Sequence, residues 1–241
     1  MQITTTTIRL RTGDGEMKCY QAQARGAGKF PAVLVIMEAF GVNDHIKDVT
    51  ERIATEGYVG IAPDLYYREP LNVVGYDQLQ AAIGLMQKLD VEKAMADLER
   101  VIAHLRAQNF VHGDRLGITG FCMGGTLAFL AACRFPTDIK AAVSFYGGGI
   151  ADDSPTAALN SAAELRAPIL CFFGENDPYI PLSRVKKIDD TLRHLGKSFE
   201  VKVYSGADHG FFCDDRASYH PEAAQDAWER TKTWFADHLR R

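Results

Sequence analysis

The chain has 241 residues, of which 46% are hydrophobic and 24% are charged, and its formal net charge is -4 at pH 7. This composition is typical of a globular protein with an extensive core, and its scattered Lys and Arg residues do not favour nucleic-acid binding. No apolar run approaches the roughly 20 residues needed to cross a bilayer, and the N-terminus lacks the basic start and apolar stretch of a secretion signal, so we expect a cytoplasmic protein.

The predicted strands follow one another at regular intervals along the chain. The opening segment ITTTTIRLRT predicts one or two antiparallel strands at the edge of a sheet. Six later apolar runs are mostly continuous rather than alternating, as expected for strands of a parallel sheet that is covered on both faces. These runs lie at 31–37, 58–64, 115–119, 140–146, 168–174 and 199–205.

Helical patterns lie between these runs and after the last of them. Apolar residues at helical spacing predict a helix over 91–105 and another over 224–239. The alternation predicts one α/β domain over residues 1–241, with a mostly parallel central sheet and helices on both faces. Two irregular stretches, 65–78 and 147–164, follow predicted strands, where such sheets place their ligand-binding loops.

A cysteine stands in a glycine-rich turn after the strand at 115–119. The segment GFCMGG, residues 120–125, leads into an apolar helix, a pattern typical of a nucleophile elbow. In such an elbow the central residue has a strained backbone, and Gly120 and Gly124 avoid collisions with the neighbouring elements. Cys122 would then lie at the start of a helix, where backbone N–H groups favour a thiolate. The alternative is a small apolar residue in a buried turn.

Two later loops carry residues that could activate this cysteine. His209 lies in ADHGFF after the last strand, which is the position of the general base in this architecture. Asp177 lies in GENDPYIP and could orient the imidazole and stabilise its protonated form. Glu175 and Asp208 remain alternatives for the acid.

The number and spacing of the cysteines argue against a bound metal. The five cysteines have irregular spacing and include no Cys-x-x-Cys pair, so neither a disulfide framework nor a zinc cluster is indicated. We expect reduced thiols, no metal and no cofactor, and a small molecule as the partner. A monomer or a small homo-oligomer is expected, without contact to nucleic acid or membrane.

Together these motifs resemble the dienelactone hydrolases (carboxymethylenebutenolidases) of the α/β-hydrolase superfamily. GFCMGG, GENDPYIP and ADHGFF carry the resemblance, with the segment MEAFGVNDHIKDVTERIATEGYVGIAPDLYYR at 37–68, and it extends over nearly the whole chain. It implies an α/β-hydrolase fold and hydrolysis of enol lactones through a triad of Cys122, His209 and Asp177, with a thioester intermediate and no metal or organic cofactor.

The resemblance also implies roles for residues after the strand at 31–37. Glu38 would accept the proton of the resting thiol when substrate arrives. Backbone N–H groups of Ala39 or Phe40, together with that of Met123, would form the oxyanion hole. By its position alone, Glu38 is either a buried carboxylate that must be paired or protonated, or a loop residue that reaches water.

The substrate-binding residues depart from the family pattern. The family has one arginine four residues beyond the histidine, where this chain has Cys213. It has another in the helix or loop after the PDLY turn, where residues 75–85 of this chain contain no arginine. Arg68 or Arg216 could replace these side chains, although either could also be an ordinary surface charge. Aromatic residues on loops expected to face the site indicate an apolar pocket: Phe40, Tyr66, Tyr67, Tyr146 and Phe211.

Two other functions remain open at this point. One is a broad carboxylesterase or thioesterase that acts on ordinary acyl groups. The other is a hydrolase-shaped binding or redox-sensing protein without catalysis. A complete set of Cys122, Asp177, His209 and Glu38 favours an enzyme, because a binding module does not need all four.

Overall fold

The computed structural model describes residues 2–240. Within this range the chain forms eight β-strands, six α-helices and one 3-10 helix. It divides into two compact units, the first ending at Gly117 and the second beginning at Ile118. Among these described residues no helix combines the length and the apolar character that a bilayer span requires.

The first unit contains an antiparallel edge and the beginning of a parallel sheet. Its elements are β1 (Ile3–Arg11), β2 (Glu16–Ala24), β3 (Phe30–Ile36), α1 (Asp44–Thr55), β4 (Val59–Pro63), α2 (Leu79–Lys88) and α3 (Val91–Ala107). The strand order is β1-β2-β4-β3, followed by β5 (Val111–Phe121), which begins in this unit and ends in the second. β1 pairs antiparallel with β2, and β2 with β4, whereas β3 and β4 are parallel. The predicted antiparallel edge is therefore confirmed.

The second unit continues from β5 with parallel strands. Its elements are α4 (Met123–Arg134), β6 (Ile139–Phe145), a 3-10 helix (Ala158–Glu164), β7 (Ile169–Gly174), α5 (Leu182–His194), β8 (Phe199–Tyr204) and α6 (Pro221–Leu239). The strand order is β5-β6-β7-β8, and both β6–β7 and β7–β8 are parallel. Every residue of β7 is buried, which explains its continuous apolar sequence.

The predicted fold class, a mostly parallel sheet with helices, is confirmed. Five of the six predicted runs match strands to within one residue at each end, whereas β5 starts earlier, at Val111, through a polar stretch. α6 begins at Pro221 rather than near Ala224, because His220 caps the helix and proline is favoured in its first turn. Helices α1, α2 and α5 were not predicted, although Asn43, whose side chain caps the N–H of Ile46, is a recognisable start signal for α1.

Candidate active site

The turn between β5 and α4 holds Cys122 in a strained conformation. Its φ is +55° and its ψ is -119°, in a region that residues with a side chain rarely adopt. The backbone N–H of Cys122 donates to the carbonyl of Phe145 at 3.0 Å, and its carbonyl accepts from the N–H of Gly125 at 3.0 Å. Strain of this kind costs about 1–3 kcal/mol and concentrates at functional sites. The backbone geometry is therefore that of a nucleophile elbow.

Two glycines make this turn sterically possible. A Cβ atom at Gly120 would collide with the backbone carbonyl of Gly124, and one at Gly125 would lie 2.5 Å from the carbonyl oxygen of Phe145. Both contacts involve backbone, which cannot move aside without displacing β6 or α4. The glycine frame therefore allows the elbow to pack closely against its neighbours.

The cysteines differ sharply in their exposure. Cys122 is partly accessible, whereas Cys19, Cys133, Cys171 and Cys213 are buried. Burial raises the pKa of Cys19, Cys133 and Cys171 to about 12. Because the thiolate is the reactive form, these three side chains are both shielded and protonated at neutral pH.

Brief treatment with iodoacetamide at neutral pH is therefore expected to alkylate Cys122 first. Peptide mass spectrometry at timed intervals measures the order of labelling. Cys122→Ser should lose the rapid label while keeping its circular dichroism spectrum. Earlier labelling of Cys19, Cys133, Cys171 or Cys213 would contradict the assignment of Cys122 as the reactive thiol.

Asp177 and His209 form a buried hydrogen-bonded pair in the second unit. Nδ1 of His209 lies 2.7 Å from Oδ2 of Asp177, whose side chain is completely inaccessible to solvent. The other carboxylate oxygen accepts from the backbone N–H groups of Tyr179 at 2.8 Å and Ile180 at 3.2 Å. The turn after β7 thus fixes the carboxylate, and the carboxylate fixes the imidazole.

The protonation of His209 is coupled to both of its neighbours. Burial lowers the pKa of its ring, but hydrogen bonds to Asp177 and to the thiol of Cys122, with the charges on both groups, outweigh burial and raise the pKa to about 10. The protonated imidazole, hydrogen-bonded to the carboxylate of Asp177, is therefore favoured at neutral pH. The structure brings together the three residues that the sequence motifs singled out.

The two alternative acids have other partners. Glu175 is exposed and accepts from the hydroxyl of Ser205 at 2.6 Å and from the N–H of Gly206 at 3.1 Å. Asp208 accepts from the backbone N–H of His209 at 2.6 Å and thereby shapes the loop. Asp177 is the candidate whose carboxylate is bonded to the imidazole ring.

Aromatic rings surround the imidazole. Tyr146 is buried, has a φ of +39°, and its ring centroid lies 5.0 Å from that of His209. Phe211, also buried, packs against Tyr146 and Tyr204. Tyr179, which the sequence did not single out, lies 5.2 Å from His209 and is 58% exposed. Tyr146 and Phe211 thus form the packed wall of the site, whereas Tyr179 reaches the solvent.

Arg216 reaches the loop that carries His209. A Cβ atom on Gly210, which has a φ of +81°, would lie 2.6 Å from Cζ of Arg216, so the guanidinium lies directly against this glycine. Cys213, in the position of the family arginine, is completely buried. A guanidinium thus lies against Gly210, and it comes from a residue three positions after Cys213.

In the first unit, Glu38 lies two residues beyond the end of β3 and is completely buried. The alternative that it reaches water is therefore wrong. Oε2 of Glu38 accepts a hydrogen bond of 2.9 Å from the hydroxyl of Tyr76, whose ring packs edge-on against Phe40 at 4.7 Å. Tyr76 was not singled out because it lies in a stretch that predicted only irregular structure. The segment after β3 and the segment before α2 are thus held together.

Arg68 is bound by carboxylates of the protein. It donates to both oxygens of Asp97, at 2.7 and 3.1 Å, and to Asp14 at 2.7 Å. Tyr67 lies beneath the guanidinium and also donates to Asp97 at 3.2 Å, while Tyr66 is buried. These contacts use three of the five guanidinium N–H groups and pair its charge with two carboxylates, so the arrangement does not support Arg68 as a ligand for a substrate carboxylate.

The cluster around Arg68 borders a cavity, which Tyr66 and Arg68 help to line. This cavity, of about 310 Å³ in the first unit, is also lined by side chains that include Leu65, Leu85, Lys88 and Lys93. The two lysine side chains that line the cavity form ion pairs, Lys88 with Glu69 and Lys93 with Asp14. Within residues 2–240, no group of three or more His, Cys, Asp or Glu side chains is arranged to hold a metal ion.

Known proteins resemble this chain over nearly its whole length. A model of the dienelactone hydrolase family matches residues 17–239. A Synechocystis protein with the provisional name carboxymethylenebutenolidase is 38% identical, covering 100% of this chain and 99% of its own. A Bradyrhizobium protein, provisionally named 2-oxo-3-(5-oxofuran-2-ylidene)propanoate lactonase, is 36% identical over 94% of this chain and 92% of its own. The crystal structure of a Klebsiella pneumoniae protein, provisionally named dienelactone hydrolase, has a TM-score of 0.89 at 36% identity, covering 99% and 100% of the two chains.

Proposed function

The chain belongs to the dienelactone hydrolase family and is a hydrolase of α/β-hydrolase fold, and from this premise we propose that it opens enol lactones or activated esters by covalent catalysis at Cys122. One observation carries the proposal. The thiol of Cys122, raised on a strained elbow, is hydrogen-bonded to an imidazole whose other side is bonded to the buried carboxylate of Asp177. A nucleophile, a base and an orienting acid in this order form a complete triad.

The proposed first step forms a thioester. The thiolate of Cys122 attacks the carbonyl carbon, a C–S bond forms, and the carbonyl oxygen becomes an oxyanion. As the oxyanion collapses, the C–O bond to the leaving group breaks and an enolate departs within the opened ring. Because an enolate is a stabilised anion, its departure needs little help from a general acid. Amides, whose leaving groups require protonation, would react poorly.

The proposed second step returns the free enzyme. The proton of the imidazolium passes to the departed enolate, which leaves His209 neutral. His209 then removes a proton from a water molecule, which attacks the thioester carbonyl. The C–S bond breaks, the acid product forms, and the proton held by His209 balances the thiolate that is released. Asp177 stabilises the charged imidazole during this step.

Backbone N–H groups complete the proposal. Met123 is the first residue of α4, and its N–H lies at the positive end of the helix. The family pattern supports Ala39 or Phe40 as the source of a second N–H for the oxyanion. Glu38 keeps the role of proton acceptor for the resting thiol in this proposal. Its complete burial and the hydrogen bond that it accepts from Tyr76 distinguish it from a surface carboxylate.

A trapped intermediate tests the mechanism. The protein is mixed with an excess of an aryl ester or enol lactone, quenched in acid within seconds, and digested. A mass increase equal to the acyl group is expected on the peptide that contains Cys122. Acylation of a different residue in the wild type would contradict the mechanism. Turnover by Cys122→Ser with no adduct on the peptide that contains residue 122 would also contradict it. Comparison of enol lactones with simple alkyl esters separates this function from a broad carboxylesterase or thioesterase.

The substrate class follows from the family and the arginines. The Bradyrhizobium relative is named for an enol lactone that carries a carboxylate. In this chain Cys213 replaces one family arginine, and Arg68 is bound to Asp97 and Asp14. Arg216, beside Gly210, remains the candidate for a carboxylate contact. We therefore propose an enol lactone as substrate, with weaker selection for a carboxylate than two bidentate arginines would supply.

Neutral enol lactones or aryl esters are expected to have a kcat/KM roughly tenfold or more above that of dienelactone, because at least one charge-assisted contact is missing. Steady-state kinetics on matched neutral and carboxylate-bearing substrates measures this ratio. Arg216→Ala should lower the kcat/KM of dienelactone and leave that of neutral substrates nearly unchanged. Arg193→Ala, which removes an exposed arginine of α5 that pairs with Asp189, should change neither value. A wild-type preference for dienelactone that Arg216→Ala abolishes would contradict the expected preference for neutral substrates.

A further inference from the structure

Tyr179 occupies an unusual position beside the proposed base. Its ring centroid lies 5.2 Å from that of His209, and the two ring planes are nearly perpendicular at 85°. His209 is buried, yet 58% of Tyr179 is exposed. The tyrosine ring therefore stands at the boundary between the buried imidazole and the solvent.

The backbone of Tyr179 is held by the same carboxylate that orients the imidazole. Its N–H donates to Oδ1 of Asp177 at 2.8 Å, and the adjacent Ile180, whose N–H donates to the same oxygen, is buried. An exposed tyrosine is ordinary on a protein surface, but most such side chains are free to change rotamer. Here the backbone is immobilised and the ring is in contact with His209, so little conformational entropy would be lost when a ligand covers it.

We infer that Tyr179 is a specificity-determining residue whose exposed ring stacks against the planar, conjugated part of the substrate. The inference rests on the proposed function, since it assumes that the reacting carbonyl lies at Cys122 and His209. Leu182, three residues later at the start of α5, is a second exposed apolar side chain in this part of the sequence.

The chemistry of the ring selects a class of ligand. A flat unsaturated lactone or an aryl group matches an aromatic surface, whereas a puckered saturated ring makes fewer contacts with it. An aromatic contact of this kind changes affinity by up to about tenfold, apart from the area that it buries. Tyr179 would therefore favour conjugated lactones without contributing a charged or reacting group.

Binding measured without turnover tests this role. In a Cys122→Ala background, calorimetry gives the dissociation constants of coumarin, a planar neutral lactone, and of δ-valerolactone, a smaller lactone with a saturated, puckered ring. Adding Tyr179→Ala is expected to weaken coumarin binding by about tenfold and δ-valerolactone binding by less than about twofold. Adding Tyr179→Phe, which keeps the ring, should preserve most of the affinity for coumarin. Tyr219→Ala removes another exposed tyrosine of the second unit and should leave both constants unchanged.

Three results would overturn the inference: equal losses for the two ligands, unchanged coumarin binding in Tyr179→Ala, or no detectable coumarin binding in the Cys122→Ala protein that keeps Tyr179. The first would mean that Tyr179 only supports Asp177 and His209. Because the background lacks the nucleophile, the result does not depend on the covalent mechanism. The acyl-adduct experiment on Cys122 tests that mechanism separately, so the two failures are distinguishable.

Discussion

Cys122→Ala is expected to lower the kcat/KM for an enol lactone or aryl ester by about 10⁴-fold or more, because the variant has no side chain that can form the thioester. Alanine adopts the strained φ of +55° no more readily than cysteine, so the backbone constraint is similar in the two proteins. Initial rates over a range of enzyme concentrations, corrected for spontaneous hydrolysis, measure the loss.

A matched control separates the chemistry from folding. Cys213→Ala changes a buried cysteine on the His209 loop that has no role in the proposed mechanism. It should retain activity within a few-fold, while both variants keep the circular dichroism spectrum of the wild type. If Cys122→Ala retained more than a tenth of the activity, the covalent mechanism at this residue would be excluded.

Asp177→Asn is expected to lower turnover by at least about 100-fold, the second largest effect. Oδ1 of Asp177 accepts from the N–H groups of Tyr179 and Ile180, so the amide oxygen of asparagine should take that place. The amide NH2 would then face Nδ1 of His209 and donate to it. The imidazole proton would move to the other nitrogen, which could no longer accept a proton from Cys122 or from water.

The same substitution should move the titration of His209. In the wild type, burial lowers the pKa of the ring, but hydrogen bonds to Asp177 and Cys122 raise it to about 10. Loss of the carboxylate removes stabilisation of the protonated form, so the pKa of His209 should fall. NMR titration of the imidazole measures this shift.

Two conservative variants test the alternative acids. Glu175→Gln and Asp208→Asn change carboxylates that bond to Ser205 and to the backbone N–H of His209. Both should retain activity within a few-fold and leave the imidazole titration nearly unchanged. A loss as large as that of Asp177→Asn in one of these variants, with Asp177→Asn near the wild type, would transfer the role of the acid to that residue.

Local sequence patterns determined most of the fold. Continuous apolar runs predicted five strands to within one residue, since buried parallel strands need apolar side chains on both faces. They failed where packing rather than pattern defines an element. β5 begins in a polar stretch at Val111, and α2 starts at Leu79 after a glutamine whose side chain does not cap the helix.

The proposed triad was also accessible from sequence, because each member follows a strand or lies in a turn whose type the glycines and proline specify. Gly120 and Gly125 are required by contacts with backbone, and such contacts leave a readable trace in the sequence. The order of Cys122, Asp177 and His209 along the chain then matches the positions of the triad in this fold.

The partners of individual side chains were decided only by tertiary structure. Arg68 and Arg216 are equivalent as sequence candidates, yet Arg68 is bound to Asp97, 29 residues away, and Arg216 lies against Gly210. The contacts of Tyr76 with Glu38 and of Tyr179 with His209 likewise join positions 38 and 30 residues apart. Backbone conformation depends on neighbours in the chain and leaves local patterns, whereas a side-chain contact depends on how distant segments pack, which no single stretch of sequence encodes.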